Sequence, residues 1–174
     1  QAALDNPQEF AAQAAHVIRA KAIQQLVDGI QYQKDGRWYE MSEWVEEEET
    51  VSDRLVPVTN SIYDHIIVQS EPERKFAEKL KNMREVRLFV KLPGWFKVAT
   101  PVGAYNPDWA LVMQQADAFG DPGPVLYLVR ETKSTTVAEE LRGTENQKIH
   151  CGKRHFTDAL GVDYKVVTGA DELP

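Results

Sequence analysis

The chain has 174 residues, 43% of them hydrophobic and 27% charged, with a formal net charge of −7. That length buries an apolar core without disulfide or metal staples, and the composition is that of a soluble globular domain rather than a disordered chain. The acid surplus argues against a stand-alone nucleic-acid binder, because sequence-independent DNA affinity comes mostly from Lys and Arg on phosphates.

Gln1, in place of Met, reads as the start of a fragment of a larger chain. Asn6 is expected to cap a helix, with Pro7 at its first position and Glu9 at its third. Phe10, Ala14, Val17 and Ile18 recur at helical spacing, so this helix should run to about Val27 and end at Gly29. Residues 30–34 and 37–40, joined by Asp35-Gly36, carry a two-residue hairpin signal. Trp38, Tyr39 and Trp44 add apolar mass, and Glu46 to Glu49 read as a solvated acidic run. Residues 1–54 are thus expected to form an accessory lobe of helix and hairpin, and residues 55–174 the core domain.

In the core, Ser70 precedes Glu71, Pro72 and Glu73, and Phe76, Ala77, Leu80 and Met83 follow, which is the pattern of an N-capped amphipathic helix. Extended runs are expected at 86–90, 96–100 and 108–113. Residues 114–124, with Gly120, Asp121, Pro122, Gly123 and Pro124, read as a loop. Val125 to Val129 is nearly continuously apolar, as in a strand with helices on both faces. A helix over 145–160 and a strand over 164–167 close the chain. This order predicts an α/β domain with a central mixed sheet flanked by helices. Cys151 is the single cysteine, so no internal disulfide forms. There is no signal peptide and no bilayer-length apolar run; the expected location is cytoplasmic, with no membrane partner.

Chemistry concentrates in Asn106-Pro107-Asp108-Trp109-Ala110-Leu111-Val112 and Val129-Arg130-Glu131-Thr132-Lys133. Side chains alternate along a strand, so Glu131 and Lys133 share a face, with Tyr127 and Val129 on the same face toward the core. An apolar strand that ends in an acid and a base suits a site at a sheet end. Asp108 opens another apolar strand. If the two strands are neighbours, Asp108 and Glu131 come within roughly 5 Å at the backbone. Two carboxylates so placed repel unless a cation lies between them, and oxygen ligands suit Mg²⁺ or Mn²⁺. The Thr132 backbone carbonyl is a further ligand candidate.

Asp followed by Glu-x-Lys resembles the motif of the PD-(D/E)xK nuclease superfamily. The longer string Thr100-Pro101-Val102-Gly103-Ala104-Tyr105-Asn106-Pro107-Asp108-Trp109-Ala110, with Glu131-Thr132-Lys133, resembles the C-terminal endonuclease domain of the restriction subunit of type III restriction-modification enzymes. So do Ile62-Tyr63-Asp64-His65, the segment from Ser70 to Leu80, and Leu141-Arg142 through Glu145, Lys148, Ile149 and His155-Phe156. The resemblance covers roughly residues 55–167; Ser134 departs from it, where Gly is expected after the lysine. It implies a restriction-endonuclease-like core that hydrolyses double-stranded DNA with Mg²⁺, Mn²⁺ serving as a substitute. Asp108 and Glu131 would hold the metal, and Lys133 would stabilise charge growing in the transition state. It further implies an N-terminal helicase-like translocase in the same chain, which would bind ATP, and a separate methyltransferase subunit. These residues contain no Walker motif of their own. Two other readings remain: the nuclease domain of another helicase-nuclease, in repair or phage defence, and an inactive docking module on the same scaffold.

Glu73 has two readings. The superfamily often completes its metal site with an acid on the first core helix, whereas Ser70-x-x-Glu73 is also a capping box. Lys148 is a further candidate for contact with phosphate. Cys151 and His155 read as a solvated helix border, and Lys153 and Arg154 as solvated basic residues. Trp95 and Trp109 are expected to pack rather than stack on bases, Asp117 and Asp121 to form turns, and Asp64 and His65 are given no role.

Overall fold

Asn6 starts the first helix, α1 (Pro7–Gly29): its side-chain oxygen accepts the Glu9 amide at 3.2 Å, and Pro7 occupies a position whose amide needs no helical partner. The computed structural model describes residues 6–36, 54–116, 119–134 and 143–174. The apolar positions expected to seat α1 are exposed, Phe10 at 50%, Val17 at 56% and Ile18 at 67%; Val27 is the buried residue of this helix. The helix touches the core near its C-terminal end, where Gln147 bonds Gln24 and Arg154 bonds the Asp28 carbonyl. Residues 30–36 form no strand, so the first arm of the expected hairpin is absent. Its second arm, Trp38, Tyr39, Trp44, the acidic run at 46–49 and Asp117 lie outside the described residues.

Strands β1 (Leu55–Pro57) and β2 (His65–Ile67) pair as a short antiparallel ribbon that the sequence pattern does not reveal. Helix α2 (Glu71–Leu80) starts as expected. Ser70 Oγ accepts the Glu73 amide at 3.4 Å, and Glu73 Oε2 reaches back to the Gln69 amide at 2.9 Å. Its buried residues Phe76, Ala77 and Leu80 fall at helical spacing.

The central sheet is four-stranded and mixed, in the order β3 (Val86–Lys91), β4 (Trp109–Ala116), β5 (Pro122–Thr132), β6 (Asp163–Val167). The first three strands run antiparallel, and β6 runs parallel to β5. A parallel pair needs a long crossover. Helix α3 (Gly143–Lys153) lies in it and continues as a π-helical segment, Arg154–Leu160, where one regular helix is expected. Gly161, at φ 73°, ends it in the left-handed region that glycine tolerates.

Each sheet face has its own core. Phe76 and Leu80 of α2, with Val56 and Ile66 of the ribbon, pack on Phe89, Trp109, Leu111, Met113 and Leu128. On the other face Phe156 and Ile149 join Val98, Tyr105, Val129 and Tyr164. A central mixed sheet with helices on both sides is the predicted α/β, restriction-endonuclease-like architecture.

Three expectations change. Residues 96–100 form no strand but hold a single bridge, Val98 to Tyr105, between Pro93 and Pro101. Most of the loop expected at 114–124 is strand, because β4 continues to Ala116, which pairs with Pro122. Gly123 permits that closure: a Cβ there would lie 2.6 Å from the Gln115 carbonyl oxygen. Finally, β5 is not covered on both faces throughout, since Val125 is 45% and Tyr127 64% exposed. Alternation does put Tyr127 on the face of Val129, yet Tyr127 is exposed where Val129 is buried. Among the described residues, no helix is long and apolar enough to cross a membrane.

Candidate active site

Trp109 of β4 pairs with Arg130 of β5. One further step of that register sets Asp108 opposite Glu131. The Asp108 carbonyl accepts the Leu92 amide at 2.8 Å, tying this residue to the end of β3. Its carboxylate is fixed from β5: Oδ2 accepts the Thr132 amide at 2.8 Å and the Thr132 hydroxyl at 2.7 Å. Thr132 Oγ1 in turn accepts Trp109 Nε1 at 3.3 Å. Thr132 therefore meets Asp108 through its amide and hydroxyl, whereas the sequence points only to its carbonyl as a ligand candidate.

Glu131 is 5% exposed. Lys133 Nζ lies 2.9 Å from its Oε1, as strand alternation requires, and the Tyr105 hydroxyl donates to Oε2 at 2.9 Å. Tyr105 also meets Tyr164, hydroxyl to hydroxyl, at 2.6 Å. Burial, followed by the charge of Asp108, pushes the Glu131 carboxyl up to about 7, against the opposing pull of Lys133 and Tyr105. Lys133 has a second acidic partner, Glu145 of α3, at 2.5 Å. Burial pulls the Lys133 ammonium down, but its pairs with Glu145 and Glu131 outweigh that and hold it above the usual lysine range.

Glu131, Lys133, Tyr105, Asn106, Glu145 and Lys148 line a cavity of about 470 Å³. Lys148 stands over the Gly103 turn, its Nζ 4.0 Å from where a Cβ would be. The structure thus gathers Glu131, Lys133 and Lys148 around one hollow, with Asp108 facing Glu131 across the paired strands.

Glu73 is directed elsewhere. It is buried, forms an ion pair with Lys91, and completes the cap of α2. Lys91 lies over the Trp109 ring at 5.2 Å. Among the described residues no group of three or more His, Cys, Asp or Glu gathers as a metal site, so Glu73 is not clustered with Asp108 and Glu131.

The solvated border expected at Cys151 and His155 is instead packed. Cys151 is fully buried, and His155 meets the rings of Tyr32 and Phe156 edge-on at 4.9 and 4.8 Å. Trp109 is buried against Phe76 and Phe89, as expected, while Trp95 is 40% exposed beside Phe96.

Tyr105, Tyr164, Glu145 and the Thr132 side chain were not singled out from the sequence. Tyr105 stands three residues before Asp108, and Glu145 one helical turn before Lys148; both also fall in the segments that carry the family resemblance, and these are the signals that point to them. Arg130 was also passed over. It is fully buried and joins β5 to Asp163 at the start of β6 by a 2.8 Å ion pair and a 2.8 Å bond to the Asp163 carbonyl.

The donor set suits a hard divalent cation. A buried carboxyl opposite a second carboxylate, with its proton affinity raised first by burial and then by that neighbour, is a place where added positive charge is favourable. Two carboxylates suffice for Mg²⁺, which retains several waters and takes its other oxygens from a phosphate. Neither a curated protein nor a solved structure matches the chain. The family model described as endonuclease domain matches residues 59–170, a span that contains Asp108, Glu131 and Lys133, and the chain belongs to that family.

Proposed function

We propose that this chain is the Mg²⁺-dependent nuclease domain of a type III restriction enzyme and hydrolyses phosphodiester bonds of double-stranded DNA. The observation that carries the reading is Asp108 opposite Glu131, with the Lys133 ammonium 2.9 Å from the Glu131 carboxylate. Asp108 and Glu131 would hold the cation, with the Thr132 carbonyl as a further ligand. Bound there, the cation would supply Lewis acidity toward a phosphoryl oxygen and an acidified water.

The chain's own groups do the rest. Thr132 fixes the Asp108 carboxylate, and Tyr105 fixes that of Glu131. Lys133 supplies a positive charge where negative charge grows on the phosphate in the transition state. Lys148, across the same cavity, steadies the phosphate before reaction. Glu73 serves as cap and as partner of Lys91, in preference to metal ligand.

With a net charge of −7, most of the DNA affinity has to come from elsewhere. The type III reading assigns it to an ATP-driven translocase in the same chain and to a methyltransferase subunit. The test is Lys133→Ala in the assembled enzyme, assayed on plasmid DNA with Mg²⁺ and ATP. Cleavage should fall at least about 100-fold while ATP hydrolysis persists; undiminished cleavage would remove Lys133 from the chemistry.

A further inference from the structure

Glu131 is held by more than its ionic partner. The Tyr105 hydroxyl that donates to Oε2 has one proton to give. Its 2.6 Å contact with Tyr164 must then run the other way, with Tyr164 donating to the Tyr105 oxygen. The chain of hydrogen bonds has a direction: Tyr164 to Tyr105 to Glu131. Donation to a carboxylate is the stronger kind of hydrogen bond, and linked donors polarise one another.

Both rings are locked by packing from separate elements. Gly152 of α3 lets Tyr105 lie against the helix; a Cβ there would fall 2.6 Å from Tyr105 Cε1 and 3.3 Å from Tyr164 Cζ. Tyr164, in β6, stacks on Phe156 with centroids 5.7 Å apart and planes 11° from parallel. An ordinary phenol keeps its proton at neutral pH, so both hydroxyls are donors there. Two buried tyrosines would find partners in many arrangements. Here both line up on the one carboxylate that faces Asp108.

We infer that Tyr105 is a positioning residue that orients the Glu131 carboxylate for a divalent cation, and that Tyr164 acts only through Tyr105. The inference rests on the proposed metal site. Groups that orient a ligand typically change metal affinity by about 10- to 100-fold when removed.

The experiment measures Mn²⁺ binding to the 174-residue chain by titration calorimetry, alongside thermal unfolding without metal. The proteins are wild type, Tyr105→Phe, Tyr164→Phe, the double variant and Glu131→Gln. Tyr105→Phe should weaken Mn²⁺ binding by about 10-fold or more, and Tyr164→Phe by less. The double variant should bind no more weakly than Tyr105→Phe, since the Tyr164 hydroxyl bonds that of Tyr105 and would act through it. Glu131→Gln should abolish binding. A purely structural role predicts the opposite pattern: lowered melting temperatures with Mn²⁺ affinities within twofold of wild type, and that result would overturn the inference. Additive losses in the double variant would overturn the role given to Tyr164. If Tyr105→Phe does not fold, Tyr164→Phe alone decides, its affinity either falling severalfold or staying put. Wild type binding no Mn²⁺, or binding it equally well with Gln at 131, would instead sink the metal-site reading beneath the inference.

Discussion

Replacing Glu131 with Gln keeps the shape of the side chain and removes its titration. In the folded chain this carboxyl is pushed up to about 7 from its ordinary value of 4.5, by burial first and by Asp108 second. Between those two pH values the folded protein holds a proton that the unfolded chain releases. The stability this group contributes is therefore fully present below about 4.5 and is lost as pH rises through 7. The rise from 4.5 to about 7 corresponds to a loss of about 3 kcal/mol. Urea unfolding in EDTA, at a series of pH values spanning this window, measures it directly. The difference in stability between wild type and Glu131→Gln should shift by about that amount and level off above neutrality. Saturating Mg²⁺ should recover much of the wild-type loss at high pH, because it would bind the charged carboxylate. Parallel stability curves for the two proteins would refute the reasoning, since they would mean that Glu131 titrates alike in the folded and unfolded chain.

Glu73→Gln breaks a buried pair with Lys91 and should cost about 3 kcal/mol in urea unfolding, with Mn²⁺ affinity essentially unchanged. A large loss of Mn²⁺ binding would instead make Glu73 a ligand. Lys133→Ala removes a cation that opposes the upward push on Glu131, so the Glu131 carboxyl midpoint, followed by carbon NMR, should move above its wild-type value. An unchanged midpoint would mean that the ion pair does not persist in solution. Lys148→Ala should weaken binding of a short duplex in Ca²⁺ and lower its salt dependence while leaving the melting temperature alone; equal affinity and slope would remove Lys148 from phosphate contact.

The parts of the site legible in the sequence are those set by local geometry. The two-residue period of a strand puts Glu131 and Lys133 side by side, and the structure has them 2.9 Å apart. Ser70-x-x-Glu73 announces a helix start, and the cap forms. What stayed hidden depends on contacts between distant segments. Tyr105 reaches Glu131 across 26 positions and Tyr164 across 59, and no pattern within a window encodes either meeting. Periodicity gives a face but not what covers it. Tyr127 lies on the face predicted for it and is still 64% exposed, and Phe10, Val17 and Ile18 of α1 are exposed at proper helical spacing. Residues 96–100 look extended by composition, yet Asn106 bonds the Pro93 and Phe96 carbonyls and ties this segment down as a loop.

In the proposed site Asp108 and Glu131 hold one divalent cation beside Lys133. Anomalous diffraction from crystals of the chain soaked in millimolar Mn²⁺ tests it most directly. A single strong peak should appear between the Asp108 and Glu131 carboxylates, with the Lys133 ammonium nearby and the Tyr105 hydroxyl still on Glu131. Two carboxylates pointing apart, with no peak between them in fully soaked crystals, would contradict it.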